Sequence, residues 1–300
     1  MATEFEVTLK DGTVMKGWHW EADSPKKNFV FITGMNEHVS RYEEMFARFA
    51  KNGINVWGID ALAQGRNAAT PEEQELWGED AFAKNVEGIH EAILLAKKNG
   101  LPTVQGGHSM GSFMTQARLE RYPEDTEKTI IIGSNGGQKG LMKIGYALAK
   151  MLVHKSNWNK PCKMLDNLGL GAYTKAVKDR KTDLDWLSYD EENVKNYMAD
   201  PYCGHQNSGG FWREFLKGLS KIWDKKELAK ISKNEKVYIT AGEEDPVGRN
   251  GEGPKWLAKT YKNLGLKEVE LKLYPHMRHE IHNEKDKEIV WQDLMAAILD

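Results

Sequence analysis

Apolar and polar positions follow two different periods along the first 135 residues of the chain. Residues 5–9 and 14–18 alternate between apolar and polar on either side of Asp11-Gly12, which predicts an N-terminal β-hairpin. Helical spacing predicts helices over 42–51 and 81–98. Three largely apolar runs predict strands at 29–32, 54–59 and 129–133, and β-branched residues predict a short strand at 103–106. Strands that alternate with helices indicate a mostly parallel sheet with helices on both faces.

The alternation stops near residue 136 and resumes near residue 232. The region between has no strand pattern, but it contains helical stretches at 141–154 and 211–222. Strands are predicted again at 237–240 and 269–274. We therefore expect an α/β fold that is interrupted by a helical insertion.

Three segments follow from this pattern: a first core part at 1–135, a helical cap or lid insertion at 136–231, and a second core part at 232–300. The insertion is rich in aromatic residues and methionine, which either pack between the cap helices or line an apolar substrate slot. These residues are Met142, Met151, Trp158, Met164, Tyr173, Trp186, Tyr189, Tyr197, Trp212 and Trp223.

The composition of the chain bears on which partners and which cellular compartment are expected. Lys and Arg number 42 against 44 Asp and Glu, so the net charge of −2 gives no basic surface for nucleic acid. The start of the chain lacks a signal-peptide pattern, and no apolar run approaches the ~18 residues of a membrane span. Only Cys162 and Cys203 are present, which suits a reducing compartment. We expect a cytoplasmic protein.

The most informative motif is the pentapeptide of residues 107–111, Gly-His-Ser-Met-Gly. A predicted strand precedes it and residues 112–119 suit a helix, as a nucleophile elbow requires. Gly107 and Gly111 would let the strand and the helix approach closely. Ser109 would then stand at a helix N-terminus, where developing negative charge is favoured. The alternative is a glycine-rich turn with a bystander serine.

A nucleophilic serine needs a histidine base, and that base needs an orienting acid. In this architecture the acid follows the serine along the chain and lies just past a later strand. Glu243, Glu244 and Asp245 compete for the role after the strand at 237–240. Asp245 is the candidate, because its side chain is short and Pro246 fixes the backbone after it. The alternative is a solvated acidic loop.

The base should lie past the final strand, where three histidines occur. His276 comes too early, and His282 is expected inside a closing helix that begins near Glu280. His279 lies between them and is the candidate base. The His-x-x-His-x-x-His spacing lacks a carboxylate partner pattern, so we expect no metal site.

The oxyanion of the reaction needs backbone N–H donors. One candidate is the amide of Met110, which follows the nucleophile. The other is the amide of Met35 in the loop after the first apolar run, where Gly34 allows a close turn. His38 in the same loop precedes the serine, which is the wrong order for a base, and we interpret it as structural.

Together these residues resemble the α/β-hydrolase superfamily and, more narrowly, the monoacylglycerol lipase and lysophospholipase-like serine hydrolases. The resemblance spans residues 5–298 and is weakest in the cap. Four segments carry it: the elbow at 107–111, the early loop at 33–42 (family pattern His-Gly-x-x-Glu-His-x-x-Arg-Tyr), the acid loop at 242–247 (Gly-x-x-Asp-x-Val) and the segment at 274–280 (Tyr-x-x-x-x-His-Glu).

The resemblance implies an α/β-hydrolase fold and a catalytic triad of Ser109, Asp245 and His279. It also implies oxyanion donors at Met35 and Met110, and a helical cap with a hydrophobic acyl pocket.

The sequence departs from the family pattern at two places. Thr33 stands where the family has histidine, although a threonine can still hydrogen-bond locally. The turn at 60–67 diverges from the family's Asp-x-x-Gly-His-Gly-x-Ser, which is mainly structural.

The expected activity is that of a serine carboxylic-ester hydrolase acting on a small-molecule acyl ester, such as a monoacylglycerol or a lysophospholipid. No metal or organic cofactor is needed. Transient contact with a membrane surface, and the choice between monomer and homodimer, stay open.

Three alternatives remain. The same triad serves an acyltransferase or a proline-iminopeptidase-like serine aminopeptidase, and the latter needs an acidic pocket for the substrate amine. The cap offers acids at Asp183, Asp185, Asp190, Glu191 and Glu192, although charge runs are usually solvated. The third alternative is a catalytically silent ligand-binding homologue.

Overall fold

The computed structural model describes residues 2–300 and contains one eight-stranded sheet. The strands lie in the order β1-β2-β4-β3-β5-β6-β7-β8. The six strands from β4 to β8 in this order are parallel to their neighbours. At the other edge, β1 pairs with β2 and β2 pairs with β4 in antiparallel orientation. The strands are β1 (Thr3–Thr8), β2 (Val14–Trp20), β3 (Lys27–Ile32), β4 (Ile54–Ile59), β5 (Thr103–His108), β6 (Lys128–Ile132), β7 (Lys236–Gly242) and β8 (Glu268–Tyr274).

Helices connect the strands and cover both faces of the sheet. Those of the core are α1 (Glu43–Lys51), α2 (Ala81–Ala96), α3 (Met110–Arg121), α10 (Glu252–Leu264) and α11 (Lys287–Leu299). Between β6 and β7 lie α4 (Lys139–Leu152), α5 (Lys163–Leu168), α6 (Leu170–Ala176), α7 (Glu191–Ala199), α8 (Gly209–Leu219) and α9 (Lys225–Leu228).

Alternation along each strand produces two separate apolar layers. Phe29 and Phe31 of β3 pack with α1 and α11 on one face of the sheet. Val30 and Ile32 of the same strand pack with α2, α3 and α10 on the other face. This second layer continues into α4 and α8, so the insertion shares the core of the sheet. The predicted α/β architecture is confirmed.

The predicted strands and helices agree with the structure within a few residues, with one exception. The closing helix was expected near Glu280 but begins at Lys287, after a 3-10 turn at Ile281–Asn283. Tertiary hydrogen bonds explain the delay. The Glu280 amide donates to the carbonyl oxygen of Leu187, and the Glu284 carboxylate accepts from the amides of Tyr189 and Arg278.

Residues 136–231, which we call the cap segment, contain α4 to α9. Within residues 2–300 this segment contributes no strand to the sheet and pairs only through an isolated bridge between Pro161 and Ser208. It contains six helices, and both its division from the core at residues 135 and 231 and its role as a cap stay predictions. No helix in residues 2–300 is both long and apolar enough to cross a membrane.

Candidate active site

Ser109 lies on a strained turn between β5 and α3. Its φ of 52° and ψ of −119° are values that side-chain-bearing residues rarely adopt. The strain places the serine directly before the first turn of α3, where free backbone amides accumulate. The local geometry therefore has the form of a nucleophile elbow.

The two glycines of the pentapeptide lie where β5 and α3 approach most closely. A Cβ atom at Gly107 would lie 2.5 Å from the Gly111 carbonyl oxygen, and one at Gly111 would lie 2.4 Å from the Ile32 carbonyl oxygen. Both contacts are with backbone atoms that cannot move independently. The turn therefore excludes a side chain at either position.

Asp245 and His279 are brought together from two loops at the same edge of the sheet. His279 Nδ1 lies 3.0 Å from Asp245 Oδ1 and 3.1 Å from Oδ2, and both side chains are buried. Asp245 Oδ1 also accepts from the Val247 amide at 2.8 Å, which fixes the carboxylate. Its competitors Glu243 and Glu244 are exposed.

The environment of His279 favours its protonated form. Burial lowers the pKa of His279, but the negative charge and hydrogen bond of Asp245 outweigh burial and raise the pKa above its ordinary value. Because Nδ1 is engaged by Asp245, Nε2 is the nitrogen left for proton transfer. It has no hydrogen-bond partner among residues 2–300. His279 and Ser109 line the same cavity.

The other two histidines of this segment have different environments. The His276 side chain is 92% exposed. His282 is buried in the 3-10 turn, not in a helix as the sequence predicted, and its ring stacks on Tyr42. Burial lowers the pKa of His282 to about 3, so this histidine stays neutral and contributes by packing against its neighbours.

Three successive amides of the early loop are used differently. The Gly34 amide donates to Glu37 Oε1 at 2.6 Å, and the Asn36 amide donates to Glu75 Oε1 at 2.9 Å. The Met35 amide between them donates to no acceptor within residues 2–300. A Cβ atom at Gly34 would lie 3.1 Å from the Ser109 Cβ, so the loop borders the serine. We call residues 33–38 the oxyanion loop, after the role that the sequence predicts for them.

Thr33 does not make the local hydrogen bond that its sequence position suggested. The side chain is buried, and its Oγ1 has no partner in the described part of the chain. Glu37 holds the loop instead. Its Oε1 accepts from the Tyr42 hydroxyl at 2.7 Å and lies 3.2 Å from His108 Nδ1 in the elbow.

Sequence analysis assigned no role to the buried ionic cluster behind the oxyanion loop. Arg41 donates to Glu37 and to Glu280, which is the neighbour of His279. Burial raises the pKa of Glu37, but His108 and Arg41 outweigh it and lower the pKa to about 2. The i,i+4 spacing of Glu37 and Arg41 directly after a buried strand was the available signal for this cluster.

A cavity of about 460 Å³ lies between the sheet edge and the cap segment. Ser109, Met110, Met35 and His279 line its floor. The Trp186 ring of the cap segment packs 5.2 Å from the His279 ring. Of the ten aromatic and methionine residues noted in the insertion, those that line the cavity are Met142, Tyr173, Trp186, Tyr197 and Trp223. The cap segment also brings charged residues to the lining, among them Asp166, Lys175, Arg180 and Asp183.

One group of side chains has metal-ligand types within 4.8 Å of one another: His38, Asp200 and Cys203. His38 Nε2 is already paired with Asp200 Oδ2 at 2.9 Å. Burial raises the pKa of the Cys203 thiol far above its ordinary value, and the Arg41 cation is close enough to act on that thiol. This arrangement suits a structural contact between the oxyanion loop and the cap segment better than it suits a cation.

Comparison with known families gives one match over most of the chain. A family model described as serine aminopeptidase S33 matches residues 23–286. Among characterised proteins, a monoacylglycerol lipase of Mycolicibacterium smegmatis is 25% identical and covers 93% of this chain and 91% of its own. A monoglyceride lipase homolog of monkeypox virus is 23% identical and covers 90% of this chain and 87% of its own.

Solved structures show the same fold. A thermostable carboxyl esterase from Bacillus coagulans, in complex with glycerol, superposes with a TM-score of 0.90 at 23% identity, covering 100% of this chain and 99% of its own. A soluble variant of a Saccharomyces cerevisiae monoglyceride lipase has a TM-score of 0.74 at 18% identity, covering 99% and 94%. The likeness establishes an α/β-hydrolase fold over the whole chain.

Proposed function

The chain belongs to the serine aminopeptidase S33 family, and we propose that it is a serine carboxylic-ester hydrolase with Ser109 as its nucleophile. One observation carries the proposal. The buried Asp245–His279 pair leaves His279 Nε2 unpartnered within residues 2–300, in the same cavity as Ser109 on its strained turn. A nucleophile, a base and an orienting acid are the parts that acyl transfer requires.

In the first half of the reaction, Ser109 Oγ attacks the ester carbonyl carbon while His279 Nε2 takes the hydroxyl proton. The carbonyl oxygen becomes an oxyanion and accepts from the Met35 and Met110 amides. The carbon–alkoxy bond then breaks, and His279 returns the proton to the leaving alcohol. An acyl-enzyme on Ser109 remains.

In the second half, water attacks the acyl-enzyme and gives its proton to His279. The second tetrahedral intermediate collapses to the free acid and restores the Ser109 hydroxyl. Asp245 keeps the imidazole in the tautomer that has Nε2 free, and its charge stabilises the imidazolium ion. No step requires a metal or an organic cofactor.

The cavity supports an acyl ester as the substrate class. A volume of about 460 Å³ falls in the range of small-ligand pockets, and many of its lining residues are aromatic or aliphatic, with charged residues among them. The relatives named monoacylglycerol lipase and monoglyceride lipase homolog support an acyl ester with a small polar alcohol. The cap segment supplies the apolar walls and therefore acts as the cap of the site.

An aminopeptidase of the same family would need a free carboxylate for the substrate amine. Of the five cap acids considered for that role, Asp183 lines the cavity, and its side chain is 89% exposed. Glu37, Glu280 and Asp166 also line the cavity. Glu37 and Glu280 are engaged by Arg41, whereas Asp166 Oδ1 accepts from Asn207 and Trp212. Asp166 is therefore the carboxylate that an aminopeptidase would use, and turnover of aminoacyl-arylamides against esters decides between the two activities.

The test is hydrolysis of a p-nitrophenyl ester series from acetate to palmitate by wild type, Ser109→Ala and a control at the exposed Ser156, Ser156→Ala. We expect Ser109→Ala to lose several orders of magnitude in rate and the control to match wild type. The rate of wild type should peak at medium or long chains. Equal activity of Ser109→Ala and wild type would overturn the proposal.

Two further substrates and one covalent probe separate the three alternatives. Faster turnover of aminoacyl-arylamides than of aryl esters would identify a peptidase. Acyl transfer to an added alcohol in preference to water would identify an acyltransferase. A silent binder would not be labelled at Ser109 by a fluorophosphonate probe.

A further inference from the structure

Glu75 is a buried acid that the reaction above does not use. It lies in the connection between β4 and α2, and its side chain is 0% exposed. Its Oε1 accepts from the Asn36 amide at 2.9 Å and from Gln64 Nε2 at 2.5 Å. Its Oε2 is buried with no partner within residues 2–300. The residue therefore directs one oxygen at the oxyanion loop from behind.

Hydrogen bonds hold the Asn36 backbone from two sides, and the contact with Glu75 is one of them. On the opposite side, the Asn36 carbonyl oxygen accepts from the Tyr197 hydroxyl at 2.8 Å and from the Gly204 amide at 3.2 Å. Asn36 has a left-handed φ of 59°, a conformation that needs support from its surroundings. Glu75 supplies that support from the core, and the cap segment supplies the rest.

The surroundings of Glu75 favour the neutral acid. It forms no ion pair among the described residues, and a buried carboxylate with an unpartnered oxygen is costly. Burial raises the pKa of Glu75 to about 8, although the hydrogen bonds from Gln64 and Asn36 act to lower it. The charged group that faces it is Asp166 of the cap segment, whose negative charge raises this pKa further.

Resting on the proposed function, we propose that Glu75 is a positioning residue that, as a neutral acid, fixes the Asn36 amide and so keeps the adjacent Met35 amide available to the oxyanion. Glu37 fixes the preceding amide, of Gly34, as an ionised carboxylate whose charge Arg41 compensates. The two acids therefore bracket the donor. Thr33, whose hydroxyl has no partner in residues 2–300, takes no part.

This role has a consequence for the pH dependence of the reaction. When Glu75 loses its proton, a buried negative charge forms one residue from the Met35 amide. That charge repels the developing oxyanion and raises the barrier of acylation. The kcat of wild type should therefore fall as the pH rises through about 8.

Two substitutions separate the hydrogen bond from the charge. Glu75→Gln keeps an oxygen that accepts from Asn36 but cannot ionise, so kcat at pH 7 should stay within about threefold of wild type, and the alkaline fall should disappear. Glu75→Ala removes the acceptor, so kcat should fall by about tenfold to a hundredfold with little change in KM. The exposed Glu79 provides the matched control, Glu79→Gln, which should keep both the rate and the alkaline fall.

The measurement is kcat and KM from pH 6 to 10 for all four proteins, with circular dichroism to verify folding. A Glu75→Gln profile that keeps the alkaline fall overturns the charge role. A folded Glu75→Ala with the kcat of wild type overturns the positioning role. If Glu75→Ala does not fold, the Glu75→Gln profile decides. Absence of Ser109-dependent turnover in wild type would instead refute the proposed function itself.

Discussion

Arg41 forms two parallel hydrogen bonds with Glu280, from Nη1 to Oε1 at 2.7 Å and from Nη2 to Oε2 at 2.8 Å. The same Nη1 donates to Glu37 Oε2 at 2.7 Å. Glu37 holds the oxyanion loop and Glu280 adjoins His279, so one guanidinium group fixes the position of two loops relative to each other. The planar fork geometry of the guanidinium group matches this arrangement of carboxylates.

Replacing Arg41 with lysine should therefore destabilise the protein more than a conservative change normally does. The lysine side chain would keep a charge but lose the parallel pair, leaving a buried carboxylate oxygen unpaired. We expect a loss of about 2 kcal/mol or more in the free energy of unfolding, measured by urea denaturation, together with a lower kcat. The control is Arg48→Lys in the more exposed pair with Glu288. Equal stability of the two variants would contradict this interpretation.

The same cluster should make stability depend on pH in the acid range. Burial raises the pKa of Glu280, but the charge of Arg41 outweighs it and holds this pKa well below its ordinary value. A depressed carboxyl pKa stabilises the folded state above the unfolded pKa of about 4.5, and the contribution is lost as the pH falls.

We therefore expect the stability gap between wild type and Glu280→Gln to be about 3–5 kcal/mol at pH 7 and to shrink below pH 4.5. Urea denaturation at pH 7, 5, 4 and 3 measures the gap. Glu243→Gln, at an exposed neighbour of Asp245, should show no such trend. A gap that stays constant down to pH 3 would show that Arg41 does not set the charge of Glu280.

The raised pKa of His279 predicts where activity fails at low pH. The base must be neutral, so kcat/KM should fall as the pH drops through the His279 pKa, which lies above its ordinary value of 6.5. Asp245→Asn removes the charge that raises this pKa. The rate should then drop by about 10³- to 10⁴-fold, and the midpoint of the remaining activity should move to lower pH.

Glu244→Gln is the control for that measurement, because Glu244 is exposed and borders the same loop. It should leave both the rate and the midpoint unchanged. An Asp245→Asn enzyme whose midpoint does not move would show that another group sets the acid limit.

The elbow glycines predict a steric result. Gly111→Ala would place a Cβ atom 2.4 Å from the Ile32 carbonyl oxygen, so β3 and α3 must separate. We expect loss of activity and a fall in stability of about 2 kcal/mol or more. Gly140→Ala, in α4 with open space around its Cβ position, should instead be neutral or stabilising by up to about 1 kcal/mol. Thermal denaturation and ester turnover check both.

The sequence predicted those features that depend on short spans of chain. The period of apolar positions located the strands and most helices. The elbow motif of residues 107–111 joins a strand to the helix that directly follows it, so a short span of chain was enough to predict it. The roles of Asp245 and His279 were predicted from the chain order of serine, acid and histidine, with the acid just past a later strand and the histidine just past the last one. These elements need little knowledge of distant contacts.

Features that depend on distant contacts were missed or mistaken. Glu75 lies 39 residues from Asn36, and no local pattern distinguishes it from its exposed neighbours Glu72 and Glu73. The closing helix was predicted to begin too early. The carboxylates of Glu280 and Glu284 form hydrogen bonds with Arg41 and Tyr189, which lie far away in the sequence. A threonine at position 33 is able to hydrogen-bond locally, but in the folded chain the carboxylates of Glu37 and Glu75 hold its loop.

The bonds between the cap segment and the catalytic loops bear on protein engineering. Tyr197 and Gly204 hold Asn36, Asn193 donates to Glu280, and the Leu187 carbonyl oxygen accepts from the Glu280 amide. A chimera that imported the insertion of another hydrolase to alter substrate preference would remove these supports along with the pocket walls. Residues 187–204 should therefore stay with the host scaffold in such a chimera.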